Sequence, residues 1–322
     1  MVMDLYFFHF RMKVNIACSS PDLFLMRLRK EFLKTGWIFN LRTLNYAITF
    51  ITTKLNIHTI TSSFLHQNSS SSSSSNNDNI HVVEIPFCRS EHGLPPGVEN
   101  LDVVPYHLLP NFLHASLSLK PSFTNLFSRL VSEQLGGHPP FCVIADMFFP
   151  WCVDVARHYG VFSSIFCSGG GFGFACYHSL WLNLPHRSVD SDQIITLPDF
   201  PEASTTIHIT QMSDYLREAD GKNKVSEFNR KALAEWSKAD GILFNTVEDL
   251  DRTGGIRVAV GHEDLMAKIE LVMNETKKGK AMRRKAWEMK KMIDNAMKDE
   301  DVWKGSSVKA MDEFLNCVHV GN

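Results

Sequence analysis

The chain has 322 residues, 44% of them hydrophobic and 21% charged, with a formal net charge of −2. That composition excludes a disordered tail protein, a collagen-like fibre and a small disulfide scaffold. It leaves room for two domains or one large one. So balanced a charge sets up no chain-wide field that would draw nucleic acid or an anionic membrane.

Seven cysteines stand at positions 18, 88, 142, 152, 167, 176 and 317, an odd number with no C-x-x-C pair. Several lie in apolar runs, such as Phe141-Cys142-Val143-Ile144, where a reduced cysteine behaves as a small buried hydrophobe. A reducing compartment, the cytoplasm, is the expectation, with no metal site. Residues 1–44 form an atypical N-terminal segment. Residues 1–45 hold seven Lys/Arg against three Asp/Glu, a faint likeness to a transit peptide, but no small-residue cleavage site follows a long apolar core. No uncharged apolar stretch approaches the roughly 18 residues of a membrane span, so stable membrane insertion is not expected.

The β-branched and aromatic run at 46–53 (YAITFITT) predicts a buried strand. Ser69 to Ser75 and the asparagines after it cannot pack, so 69–79 is expected to be a disordered Ser/Asn loop. His81 to Phe87 (HVVEIPF) restarts as a strand and runs into the turn-rich Gly93-Leu94-Pro95-Pro96-Gly97. Helices are expected at about 105–119 and 121–135, stopping at Gly136-Gly137. Phe141 to Ala145 (FCVIA), ending in Asp146, suits a central parallel strand.

A helix over 149–159 then ends at Gly160, and a strand at 161–167 leads into the glycine cluster 169–173. An aromatic-rich helix runs from there to about Leu182, another spans about 224–238, and Gly241 to Val247 reads as a strand. Strands alternating with helices predict an α/β fold, with a Rossmann-like parallel-sheet domain over 45–250. After a junction at 251–261, residues 262–322 read as C-terminal helices. Val308, Met311, Phe314 and Leu315 recur at helical spacing in the last of them.

Open α/β sheets bind ligands at the carboxyl ends of their strands, which is where Asp146 falls. A carboxylate there can orient a histidine or accept a hydroxyl proton; equally, it can be a helix N-cap or loop aspartate. The glycine cluster fails G-x-G-x-x-G, because Phe174 stands where the third glycine belongs, and fails G-x-S-x-G around Ser168, because Phe166 stands where glycine should. What remains is a close backbone approach at a strand-to-helix turn. The basic run beginning at Lys277 is diluted by Glu263, Asp264, Glu270, Glu275, Glu288 and Asp294. No pattern of interleaved aromatics accompanies it, so it reads as a solvated helix face rather than a nucleic-acid site.

Six segments taken together resemble the plant UDP-dependent glycosyltransferases of family 1. They are SEHGLPPGVENLD (90–102), CVIADMFFPW (142–151), FCSGGGFGFACYHSLWLNLPH (166–186), DFPEA (199–203), ADGILFNTVEDLD (239–251) and KGSSVKAMDEFL (304–315). The resemblance implies an incomplete GT-B fold: one Rossmann-like acceptor-side domain plus C-terminal helices. It implies transfer of a hexose, probably glucose, from a UDP-sugar co-substrate to a hydroxyl of a small lipophilic acceptor such as a flavonoid or other phenolic, with no bound cofactor. It also implies that Asp146 is the orienting carboxylate, and that Phe148, Ser168, Gly169, Gly170, Phe172, Cys176 and Tyr177 line the acceptor pocket.

Two departures from the family pattern stand out. The G-H-x-x-P turn that should carry the base histidine reads KTGWIFNLRTLN here, with no histidine between His9 and His58. The donor box is absent as well: no tryptophan heads a His-Cys-Gly-Trp-Asn-Ser core, and no glutamine follows Gln211. No donor-binding residue is therefore assigned. An inactive or impaired glycosyltransferase chain, monomeric if soluble, is expected; the alternative is a catalytically dead small-molecule binder or interaction protein derived from the acceptor domain.

Overall fold

The computed structural model describes residues 48–58, 61, 80–100, 103–132, 140, 142–167, 169–188, 194–198, 206–244, 276–300 and 303–321. The N-terminal segment 1–44, the 69–79 tract, Gly136-Gly137, Ser168, the DFPEA segment, the junction 251–261 and the start of the helix expected from 262 lie outside the described residues.

Seven strands are described: β1 (Ile48–Thr52), β2 (Ile80–Glu84), β3 (Cys142–Asp146), β4 (Phe162–Cys167), β5 (Ile194–Thr196), β6 (Thr206–His208) and β7 (Gly241–Phe244). The longer helices are α1 (Leu109–Ser116), α2 (Leu119–Ser132), α3 (Trp151–His158), α4 (Gly171–Asn183), α5 (Lys224–Trp236), α6 (Lys277–Ala296) and α7 (Ser306–Gly321). The chain divides into two compact units.

The first unit carries β1 to β4, most of β7, and helices α1, α2, α3 and α5. β1 pairs in parallel with β2, Ile48 opposite Ile80 and Thr52 opposite Glu84. β3 pairs in parallel with β4, Cys142 opposite Phe162 and Asp146 opposite Phe166, and β4 lies between β3 and β7. Among the described residues these strands form two sheets, of two and three strands, with no strand joining β1 to β3. Every residue of β3 is buried, as expected for a continuous apolar run covered on both faces.

Helix α3 packs on β3 and β4 and also meets α5, which α1 covers in turn. In α2 the buried positions Leu119, Phe123, Phe127 and Leu130 recur at the spacing of one helical face. Phe123 stacks on Phe127 at 5.5 Å and meets Trp151 edge-on at 5.4 Å. Phe123 and Phe127 are wholly buried, and burying each stabilises the unit by about 1.5–3 kcal/mol. Local signals end and begin the helices. Gly160 takes a left-handed φ of 67° after α3, and the Asn223 side chain caps α5 by accepting from Ser226 N at 2.9 Å.

The second unit carries α4, β5, β6, α6 and α7 as far as Phe314. β5 and β6 form a small antiparallel pair, Ile194 opposite His208, which the sequence reading did not anticipate. After α6, Gly305 lies directly against its C-terminal end: a Cβ built there would stand 2.3 Å from the Asn295 carbonyl oxygen. In α7, Met311, Phe314 and Leu315 are buried and Val308 is half-buried, in keeping with their helical spacing.

Candidate functional site

The carboxyl end of β3 carries the first group of expected site residues. Asp146 is the last residue of the strand and is buried, and its Oδ1 accepts the backbone N–H of Phe148 at 2.9 Å. The chain turns tightly here. Phe149 N donates to Asp146 O at 2.9 Å, and Met147 N donates to Phe166 O on β4 at 3.0 Å. From α5, the buried Trp236 donates its indole Nε1–H to Met147 O at 2.8 Å. The loop is thus fixed from its own side chain, from the neighbouring strand and from a helix. Both readings of Asp146 meet in this geometry: it closes an Asx-type turn, and it presents a carboxylate at a strand end.

The second group lies at the strand-to-helix turn after β4 and belongs to the other unit. Gly169 is exposed and Gly170 half-buried, and Gly170 is the extended residue that precedes α4. Phe172 and Tyr177 are half-buried and Cys176 is buried in α4. Tyr177 meets Trp181 edge-on, with ring centroids 6.1 Å apart. Burial holds the His178 imidazole below its ordinary pKa of 6.5, so neutral pH leaves it uncharged.

A third feature had no motif to announce it. At the carboxyl ends of β1 and β2 a buried polar network fastens the 85–100 loop to the residues that follow β1. The Glu99 carboxylate accepts Leu55 N at 2.8 Å and pairs with the Arg89 guanidinium. Asn56 Nδ2 donates to Thr53 Oγ1 at 2.9 Å and to Glu99 O at 3.0 Å, and Asn100 Nδ2 donates to Asn56 Oδ1 at 3.2 Å. Gly93 and Gly97 adopt left-handed φ values of 67° and 83° and let the loop turn. A carboxylate so deeply buried is tolerated because it is paired and hydrogen-bonded. The turn-rich GLPPG string was visible in the sequence; the partners of Glu99 were not.

At the start of β3, burial pushes the Cys142 thiol up to about 12, so it is an inert core group and not a nucleophile. Among the described residues no group of three or more His, Cys, Asp or Glu side chains could hold a metal ion. Nor is any described helix long and apolar enough to cross a membrane.

Known proteins share both the sequence and the fold. UDP-glycosyltransferase 92A1 of Arabidopsis thaliana is 40% identical over 207 residues, which cover 64% of this chain and 40% of the relative. Crocetin glucosyltransferase 3 of Crocus sativus is 34% identical over 223 residues, covering 69% of this chain and 44% of that protein. The crystal structure of Glycyrrhiza uralensis UGT73P12 complexed with glycyrrhetinic acid 3-O-monoglucuronide superposes with a TM-score of 0.55 at 26% identity. That match covers 82% of this chain and 51% of the other.

This chain is a relative of the plant UDP-glycosyltransferases. It shares the GT-B fold of these glycosyltransferases over the part it spans, which is about half their length or less. The names of these relatives are those of a UDP-glycosyltransferase and a glucosyltransferase. No protein-family profile matches the chain.

Proposed function

We propose that this chain is the acceptor-side part of a UDP-glycosyltransferase. The reaction it serves moves a hexose, glucose in the first instance, from a UDP-sugar to a hydroxyl of a small lipophilic acceptor such as a flavonoid or other phenolic. The observation that carries the reading is Asp146. It stands at the carboxyl end of a buried parallel strand, on a loop fixed by Phe166 and Trp236, in a chain 40% identical to a plant UDP-glycosyltransferase over 64% of its length.

In this reading Asp146 holds the place of the carboxylate that, in a complete apparatus, orients the imidazole taking the acceptor proton and stabilises the imidazolium that results; its partner histidine is absent from this sequence. Phe148 and the segment Ser168, Gly169, Gly170, Phe172, Cys176 and Tyr177 line the acceptor pocket. Transfer also needs donors fixed around the departing diphosphate. The sequence contains neither the donor box nor the histidine turn, and a lone carboxylate is a weak base for an acceptor hydroxyl. On its own the chain therefore holds an acceptor without glycosylating it. Free cysteines, four of them buried as small hydrophobes, fit a cytoplasmic protein, and we take the chain to be monomeric.

The test is a product assay with UDP-glucose over a panel of phenolic acceptors, read by mass spectrometry. No hexosylated product is expected from the chain alone. Turnover would overturn the assignment of an incomplete catalytic apparatus.

A further inference from the structure

Helix α4 ends on a strained residue. Leu184, its C-terminal cap, takes a left-handed φ of 47°, and among the described residues it is the one non-glycine with a positive φ. That conformation is unfavourable for a residue with a Cβ and persists only where the surroundings hold it. Leu184 O accepts Arg187 N at 3.0 Å, so the strained residue opens the single helical turn Pro185–Ser188.

That turn grips the chain just after the one-turn helix Asp214–Arg217, within the same unit. His186 Nε2 lies 3.2 Å from Ala219 O, Arg187 Nε donates to the same carbonyl at 2.6 Å, and Arg187 Nη2 donates to Glu218 O at 3.0 Å. A carbonyl only accepts, so Nε2 carries the imidazole hydrogen and Nδ1 is bare. His186 is buried, and its Nδ1 has no hydrogen-bond partner. The ring therefore fits its place only while neutral. The ionisable side chains around it are Arg187 on the turn, His178 on α4, and Asp214, Arg217, Glu218 and Asp220 on and beside the gripped segment, where Asp214 and Arg217 pair with each other. β5 also packs on the turn and brings only Ile194, Ile195 and Thr196. Of these groups Arg187 bears on the imidazole, and it opposes a second proton.

We propose that the Pro185–Ser188 turn is a proton-operated latch on the end of α4. With a neutral imidazole it closes that end onto Glu218 and Ala219. When Nδ1 takes a proton from solvent, His186 moves out to water, its bond to Ala219 is lost, and Leu184 relaxes from its left-handed conformation. The closed turn holds the imidazole below its ordinary pKa of 6.5, so closure is fully favoured above about pH 6.5 and weakens as pH falls below it. Release is local: it undoes side-chain bonds to two carbonyls and one strained residue, and leaves the sheets paired. Because α4 carries Phe172, Cys176 and Tyr177, an open latch also slackens the wall assigned to the acceptor, a consequence that rests on the function proposed above.

The experiment is hydrogen–deuterium exchange of the full chain at about pH 7.5 and about pH 5.5, corrected for the intrinsic pH dependence of exchange and read by peptide mass spectrometry. Peptides covering 184–188 and 216–219 should exchange on the order of tenfold faster at the lower pH, because a hydrated imidazole one unit below its ordinary pKa is protonated about tenfold over neutral. They should exchange faster than β3 peptides at both pH values, since the latch opens without unfolding the sheet. His186→Gln, which keeps an N–H near the Nε2 position and cannot titrate, should abolish the response. Arg187→Ala, at an exposed position, should raise exchange at the higher pH on the order of tenfold and keep a response to pH. Acceptor affinity should fall at the lower pH in the parent and not in His186→Gln; an unchanged affinity beside the exchange response would overturn the acceptor consequence and leave the latch standing. Equal exchange at both pH values, a response that survives His186→Gln, or latch peptides that exchange only together with β3 would each overturn the latch.

Discussion

The indole Nε1–H of Trp236 donates to the backbone carbonyl of Met147 at 2.8 Å, a buried bond between residues 89 positions apart. It ties the C-terminal end of α5 to the loop that presents Asp146 and Phe148. Trp236→Phe keeps the aromatic bulk and removes the donor, leaving a buried carbonyl without that partner. A loss of about 1–3 kcal/mol is expected, read as a lower urea midpoint with an unchanged slope. An unchanged midpoint would mean that the bond does not hold the loop.

Gly305 backs onto the end of α6 at a distance that no side chain fits: a Cβ there would lie 2.3 Å from Asn295 O and 2.4 Å from Ala296 O. Both obstacles are backbone atoms, so relief requires moving the helix end or α7. Gly305→Ala should destabilise the chain by about 1–3 kcal/mol, measured by denaturant unfolding. A neutral substitution would show that the helix end yields easily.

Much of this architecture could be read from residue order. The FCVIA run with its terminal Asp146 became β3, Gly160 stopped α3 where expected, and the aromatic-rich stretch after the glycine cluster became α4. These signals are local: apolar run length, a left-handed glycine, a helical period. The features that escaped are long-range or short. β5 and β6 have three residues each, too few for a period, and each depends on a partner farther along the chain. The Trp236–Met147 bond and the Glu99–Arg89 pair depend on tertiary approach, which spacing does not encode. Trp287 was visible in the sequence, but its exposure was not.

His186 gives the fold a defined response to acid. It is buried; its Nε2 lies 3.2 Å from Ala219 O, and its Nδ1 has no hydrogen-bond partner. Burial, and secondarily Arg187, hold its pKa below the ordinary 6.5, despite an opposing pull from the Ala219 carbonyl. A second proton would place a charged N–H at Nδ1 with nothing to accept it. The unfolded chain then binds more protons than the folded one, so stability is full above about pH 6.5 and falls as pH drops below it, levelling off under the folded pKa. His178 adds a loss of the same sign. Thermal melts from pH 8 to 5 should show this decline, and His186→Gln should make it shallower. A variant with the same pH profile as the parent would remove His186 from the explanation.

The cysteines should separate cleanly by reactivity. Cys88 and Cys317 are exposed, whereas Cys142, Cys152, Cys167 and Cys176 are buried, with the Cys142 thiol pushed up to about 12 by burial. Alkylation of the native protein near neutral pH, followed by peptide mass spectrometry, should among the six described cysteines modify Cys88 and Cys317 first and leave Cys142 untouched until denaturant is added. Early modification of Cys142 would mean that β3 opens in the native state.

Isothermal titration of the same preparation with a phenolic acceptor and, separately, with UDP-glucose is the most direct measurement of what this chain does. A glycosyltransferase's acceptor side without a donor box predicts a saturable acceptor isotherm and no heat of binding for UDP-glucose. Asp146→Asn should leave acceptor binding within a few-fold of the parent, because in the proposed reading the carboxylate does not grip the acceptor and the Asn amide oxygen can still accept the Phe148 N–H. Millimolar or tighter binding of UDP-glucose, or an acceptor that does not bind at all, would contradict that division of labour.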